Sequence, residues 1–292
     1  MPTKAETKPF TSFEEQIGLL RTRGLAIENE SFALEVLQKI NYYRLSAYSL
    51  TFRENDRFYH GYTFENMVEL YNFDAEFRSI IMKYSATVEH AFRTHIAYHH
   101  AEKYGSTGYL CNAYFEDELR HSKFLTKLFS LIDRSDDIFI RHHKEDRNGV
   151  YPFWVAIEVT SFDVLSKLYK NLLPDMRTTI AKTYYSVHRK YIENWLQCSV
   201  VARNISAHGG RFYNRYLTSP VKLDVATNLK VNNRTAFAVV FAIYRLLPTN
   251  AERHQLIKDL KDLFYNHQFV LRNRMGFPDC WDGLLEDQMI LQ

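Results

Sequence analysis

The run from Phe64 to Phe92 narrows the choice of fold more than any other part of the chain. Phe64, Met67, Val68, Tyr71, Phe77, Ile80, Ile81, Tyr84, Val88 and Phe92 recur at threes and fours, the spacing that aligns side chains along one face of an α-helix. Thr63 stands at the N-cap position, and the pattern reaches about as far as Lys103. Roughly forty residues is long for a globular helix, so the pattern leaves room for a break.

The same period recurs on both sides of this run. Ser12-Phe13-Glu14-Glu15 spells a capping box, with Ser12 as N-cap and Glu15 at the third helical position. The helix it opens carries Ile17, Leu19 and Leu20, and Gly24 can end it. A second helix over 31–40 should bury Phe32, Val36, Leu37 and Ile40. Further helices are predicted over about 116–133, from Pro152 along Trp154, Ile157, Phe162, Leu165, Leu168 and Leu172, and from Pro174. Two more, over 235–247 and 251–265, read as amphipathic. Loops are expected at 53–61, where Asn55 and Asp56 are turn formers, at 105–109 and over the charged stretch 134–148. The stretch 219–233 reads as irregular, and Phe277–Trp281 should pack back on the body. Alternating strand patterns are scarce, so the class is all-α, a helical bundle.

The formal charge is only +3 over 292 residues. That excludes a globally basic coat for nucleic acid and leaves a local basic cleft. The many Tyr and Phe rings can pack inward or stack on bases, and composition does not separate the two. Cys111, Cys198 and Cys280 are far apart and form neither a metal-binding pair nor a disulfide framework. They read as reduced, packed small residues. No apolar stretch reaches about 18 residues, and Met1–Glu6 lacks the apolar core of a signal peptide. Both point to the cytoplasm, with no membrane partner.

Chemistry concentrates in Val201-Ala-Arg203-Asn204-Ile-Ser-Ala-His208-Gly209-Gly210-Arg211-Phe-Tyr-Asn214-Arg215. Asn204 and His208 are four apart and share a helix face. Arg203 is rotated by roughly 140° from His208, yet a long side chain at a helix end can swing round. Arg holds phosphate through a planar fork, His moves protons near neutral pH, and Asn orients either. The set suits cleavage of RNA by attack of the ribose 2′-OH on the adjacent phosphate, without a metal or other cofactor. Arg93 with His99 has a similar spacing but lacks both the Asn and the glycines, and is set aside. His95, His99 and Glu102 could form a metal face, although a solvated polar face is the commoner outcome. Tyr42, Tyr43 and Arg44 read first as packing at a helix junction, with Arg44 facing RNA as the alternative. Glu158, inside an apolar stripe, needs a partner, and an Arg of the motif helix is the expected one.

Arg-Asn-x-x-x-His at the end of an apolar helix resembles the HEPN ribonuclease motif. His208-Gly-Gly-Arg211-Phe-Tyr-Asn214-Arg215 is similar to the Abi-like group of that superfamily, the AbiD/AbiF-type abortive-infection proteins. So are Lys8-Pro9-Phe10, Gln16 through Arg23-Gly24-Leu25, Asn41-Tyr42-Tyr43-Arg44-Leu45-Ser46-Ala47-Tyr48, Leu70-Tyr71-Asn72-Phe73-Asp74 through Arg78, and Met275-Gly276-Phe277-Pro278. The resemblance implies a HEPN-type core with additional N- and C-terminal helices. The expected division is an N-terminal extension at 1–60, a core carrying the motif at 61–217, and a C-terminal segment at 218–292. It further implies phage defence through metal-independent RNA cleavage by a homodimer whose two motifs share a cleft, with a regulatory non-coding or antitoxin RNA as a further partner. His208 would be the general acid or base, Arg203 would stabilise the charged phosphorane, and Asn204 would orient one of them. Arg211, Asn214 and Arg215, with Arg44, would bind RNA. A non-cleaving RNA- or nucleotide-binding module, and a purely structural network of Arg203 with Glu158, are the other readings the residues allow.

Overall fold

The computed structural model describes residues 9–228 and 230–290. The Met1–Glu6 start and Lys8 of the Lys-Pro-Phe triplet lie outside the described residues. The chain forms two compact units, Met1–Glu76 with Phe264–Leu271, and Phe77–Leu263 with Arg272–Gln292. Nearly all regular structure is helical, as the periodicity requires.

The first unit contains α1 (Phe13–Thr22), α2 (Glu30–Lys39), α3 (Tyr42–Ser46) and the start of α4 (Phe64–Tyr104). The capping box forms in both directions: Ser12 Oγ accepts from the Glu15 amide, and the Glu15 carboxylate accepts from the Ser12 amide at 2.6 Å. Gly24 follows α1 at φ +92°, a conformation that favours glycine. Ile17 and Leu20 are buried, whereas Leu19 faces out. The segment read as a loop at 53–61 instead holds a hairpin, β1 (Arg53–Glu54) against β2 (Arg57–Phe58). Asn55 and Asp56 both take positive φ, the turn geometry that matches strand twist. Tyr48 donates to the buried Asp74 carboxylate at 2.8 Å.

The second unit holds the rest of α4 and then α5 (Glu118–Arg134), α6 (Ile138–Asp146), α7 (Phe153–Ala156), α8 (Phe162–Asn171), α9 (Pro174–Tyr185) and α10 (Arg189–Ala207). It closes with α11 (Val225–Asn228), α12 (Ala236–Leu246), most of α13 (Asn250–Asn266) and α14 (Trp281–Ile290). α4 runs unbroken for 41 residues. The charged stretch expected to be a loop forms α6, anchored by the buried Ile140. The helix expected from Pro152 is split by a 3₁₀ turn at Ile157–Val159 and an extended Thr160, which leaves Trp154 exposed.

α10 packs against α8, α9 and α12 and is the centre of this unit. α12 is not amphipathic: each of its residues is buried, Arg245 included. The Arg245 guanidinium lies over the Trp195 ring of α10 at 5.5 Å, where a cation–π contact compensates part of its lost hydration. Arg177 of α9, also buried, ties α10 down through Glu193 at 2.8 Å and reaches Glu116 with its other amino group. Of the cysteines only Cys198 is packed, and burial pushes its thiol up to about 12. Cys111 and Cys280 are exposed, contrary to expectation. Among the described residues no helix is long and apolar enough to cross a membrane.

The C-terminal Met275-Gly276-Phe277 turn packs into this core, with Phe277 against Phe77, Phe237 and Trp281. Gly276 sits at φ +79°, and a Cβ there would lie 2.3 Å from Thr235 Oγ1. Gly276→Ala therefore meets both a backbone penalty and a clash. We expect it to lower stability by about 2–4 kcal/mol, measured by urea unfolding. A midpoint equal to that of the unchanged protein would contradict this packing.

Candidate active site

The motif is built on the way α10 ends. His208 is the C-cap, and Gly209 takes φ +63°. Gly210 N–H donates to Ile205 O at 2.7 Å and Gly209 N–H to Ser206 O at 3.0 Å, the paired bonds of a Schellman motif. This is the left-handed cap the two glycines predict. A Cβ on Gly210 would stand 2.9 Å from Ile205 Cγ2, so the turn is tight as well as left-handed. Arg78 of α4 donates to Gly210 O at 3.4 Å, and Asn214, at φ +50°, donates its amide to Arg274 O at 3.2 Å. The chain leaving the helix is fixed from both sides.

This cap places the His208 side chain in solvent. Among the described residues its ring makes no hydrogen bond, and neither does the half-buried Asn204 amide. Both groups are open to a substrate.

Arg203 points elsewhere. Its guanidinium lines a cleft of about 600 Å³ together with Glu89 and Arg93 of α4, Arg134 of α5, Asp137 and Glu158. Glu89 is central there. One carboxylate oxygen pairs with Arg93 Nη2 at 2.5 Å, and the other lies 4.0 Å from Arg203 Nη2. Arg93 also donates to Thr160 O at 2.7 Å. Arg203 itself holds no hydrogen bond among the described residues, and its Nε is buried without a partner. A partly buried cation with open donors and one carboxylate at ion-pair distance is ready for an incoming anion. The cleft's three arginines face three carboxylates, so its field is local and not broadly positive.

Several expectations change here. Glu158 is exposed and is not the ion-pair partner of Arg203; Glu89 is. Arg93, set aside in the sequence for want of an Asn, shares the cleft with Arg203. Met82, Ala86, Glu89 and Arg93 all line it, and their spacing of four, three and four was the signal for that face of α4. Asn204 and His208 do not line this cleft; they lie on the same helix end beside it. Arg211 and Arg215 lie in the non-helical stretch beyond α10, and Arg215 folds back so that Nη1 donates to Arg211 O at 3.3 Å. Arg44 is an exposed residue of α3 in the first unit.

His95 and His99 are occupied by aromatic partners. The His95 ring stacks on Tyr184 at 3.6 Å. Burial, helped by nearby His99, lowers its pKa to about 4. His99 meets the Tyr184 hydroxyl at 3.1 Å and Glu102 at 3.5 Å.

A family model described as Abi-like protein matches residues 35–214, well over half of the chain. The chain belongs to the Abi-like protein family. At the level of the family, membership points to abortive infection, a defence against phage. No match is found among the curated proteins or the solved structures. In this Abi-like protein the matched segment takes in Arg44, Glu89, Arg93, Arg203, Asn204, His208, Arg211 and Asn214, and stops one residue before Arg215. The Met275-Gly276-Phe277-Pro278 turn lies outside it.

Proposed function

We propose that this Abi-like protein is a metal-independent endoribonuclease of HEPN type that acts in phage defence. The observation that carries the reading is the end of α10. Among the described residues, an exposed imidazole with both nitrogens open, and a free amide one turn before it, stand beside a cleft that holds an arginine without hydrogen-bond partners. His208 takes the proton from the ribose 2′-OH or returns one to the leaving 5′-oxygen, as general base or acid. The 2′-oxygen forms a bond to phosphorus, the bond to the 5′-oxygen breaks, and the products are a 2′,3′-cyclic phosphate and a 5′-hydroxyl. Arg203 stabilises the charge that builds on the phosphorane oxygens, and Asn204 orients the phosphate or the imidazole. Arg211, Asn214 and Arg215 contact flanking phosphates, and Arg44 supplies a further RNA contact.

One protomer separates the Arg203 cleft from the His208 ring. In a homodimer with two facing motifs, each substrate can meet a complete set of groups. A regulatory non-coding or antitoxin RNA is a fitting restraint on such an activity. A non-cleaving RNA-binding module is favoured by one observation, the carboxylate balance of the Arg203 cleft, which leaves few net charges for transition-state stabilisation. Purified protein incubated with RNA in excess EDTA separates the two: an enzyme shortens the RNA, and a module binds it intact.

A further inference from the structure

A second groove lies in the same unit, and neither the motif nor its cleft uses it. It is a trough of about 560 Å³ between α5 and α8, lined by Arg120, Lys123, Phe124, Lys127, Asp163, Val164, Lys167, Leu168, Lys170 and Asn171. Its floor is apolar, formed by Phe124, Val164 and Leu168, and its banks are basic. Five cations stand against the single carboxylate of Asp163, a net of four positive charges in a chain whose total is +3. The remaining residues together sum to about −1, so the local excess of positive charge at this groove exceeds that of the whole chain.

Asp163 neutralises Lys167 at 2.7 Å, and Arg120 has Asp117 at 3.7 Å. Lys123, Lys127 and Lys170 are exposed and have no carboxylate partner among the described residues. These three lysines stand on both banks of one groove and give it a positive charge that a polyanion can meet.

The groove is also in line with the Arg203 cleft. Asn171 at the end of α8 bonds to Glu116 and Asp117 at the start of α5, while Ser161 before α8 and Leu131 and Arg134 at the end of α5 line the Arg203 cleft. The two helices thus run antiparallel along one seam, with the basic trough along it and the motif cleft at the Ser161–Arg134 end. Along α5, Arg120, Lys123, Lys127 and Arg134 fall within about 60° of one another at 100° per residue, and they cover about 21 Å at 1.5 Å per residue. This stripe of cations leads from the trough to the cleft.

We propose that the α5–α8 seam is a track for single-stranded RNA. The phosphodiester backbone lies on Lys123, Lys127 and Lys170, bases rest on the Phe124–Leu168 floor, and the strand continues to the phosphate held by Arg203. The inference rests on the ribonuclease reading and adds the path by which substrate approaches. Backbone contacts of this kind position a strand without reading its sequence. An acidic protein segment also fits a basic trough, but it gives no reason for the stripe to run on to the motif cleft.

The test is a binding titration of the full chain with a fluorescent 2′-O-methyl oligoribonucleotide, which cannot be cut by 2′-OH attack, over a series of salt concentrations. Each phosphate contact contributes about 0.7 to the log–log salt slope for single strands. The triple variant K123Q/K127Q/K170Q should lose roughly 2 from that slope, with unchanged thermal unfolding. A control, K144Q/K258Q, removes exposed charge away from the groove and should leave the slope nearly intact. If the unchanged protein binds and the triple variant keeps its slope, the track is wrong while the ribonuclease reading stands. If the unchanged protein does not bind RNA at low salt, both fall. If poly-glutamate displaces the RNA at equal concentration and loses affinity through the same three lysines, the groove is a site for acidic protein segments and the RNA assignment is overturned.

Discussion

Arg203→Ala and His208→Ala should each leave a folded protein in which the proposed RNA cleavage has all but stopped. Removing the general acid or base should slow cleavage by about 10²–10⁴-fold. Removing the cation that meets the phosphorane should raise the barrier by on the order of 3–4 kcal/mol. The fold should survive both changes. His208 is exposed and its ring makes no hydrogen bond among the described residues, so its loss opens no cavity. Without Arg203, Glu89 keeps its 2.5 Å pair with Arg93. Cleavage rates and thermal unfolding are read on the same preparations. Two variants that cut like the unchanged protein would remove these residues from the site, and two that unfold would make the motif a structural network.

The second large effect is a loss of stability on mild acidification. His95 and His100 are both buried. Burial, with the nearby His99 and His121 respectively, lowers each pKa from 6.5 to about 4. His100 is packed among Phe115, Phe153 and Tyr104, and neither of its ring nitrogens has a hydrogen-bond partner among the described residues. The unfolded chain binds protons at these residues near pH 6.5, whereas the folded chain resists until about pH 4. Between those limits the unfolded state holds more protons, so stability is full above pH 6.5 and falls as the pH drops toward 4. At about 1.4 kcal/mol per pH unit for each histidine, the two together should cost roughly 2–4 kcal/mol between pH 6.5 and 5, a range that lies above most carboxylate titration. Urea unfolding at several pH values reads the loss. His100→Leu should remove about half of the slope, and a flat profile in the unchanged protein would contradict the burial of these rings.

What the sequence discloses depends on how local the cause is. The capping box at Ser12 and the Gly209–Gly210 cap need only neighbouring residues, and both form as expected. The long α4 follows from periodicity, and its continuity past the expected break reflects an uninterrupted line of buried rings at Phe73, Phe77, Tyr84 and Phe92. α6 escaped notice because its charged residues point outward and Ile140 is the one residue it buries. The amphipathic expectation for 235–247 fails because Ala236-Phe-Ala-Val-Val-Phe-Ala-Ile243 is apolar on every face, the mark of a helix enclosed by others. The short hairpin was hidden because Asn55-Asp56 signals a turn equally well with or without flanking strands.

The site divides in the same way. Arg203, Asn204 and His208 occupy one helix end and were legible as a unit. Glu89, Arg93 and Arg134 come from two other helices, and only the tertiary fold brings them to the cleft that Arg203 lines. Glu158 was the natural guess for its partner because it interrupts an apolar stripe. The 3₁₀ turn at Ile157–Val159 rotates that carboxylate out to solvent, and the ion pair falls to Glu89. Such a choice is set by tertiary geometry, which spacing along one helix does not encode.

If RNA supplies its own nucleophile and the protein moves the protons, cleavage depends on the ribose 2′-OH and on no metal. The most direct measurement uses one oligoribonucleotide in two forms, all-ribose and with a single 2′-deoxy sugar at the mapped cut, both assayed in excess EDTA. The ribose strand should be cut and end in a 2′,3′-cyclic phosphate, and the deoxy linkage should resist, since the attacking oxygen is gone. Equal cleavage of the deoxy linkage, or arrest of the reaction by EDTA, would contradict it.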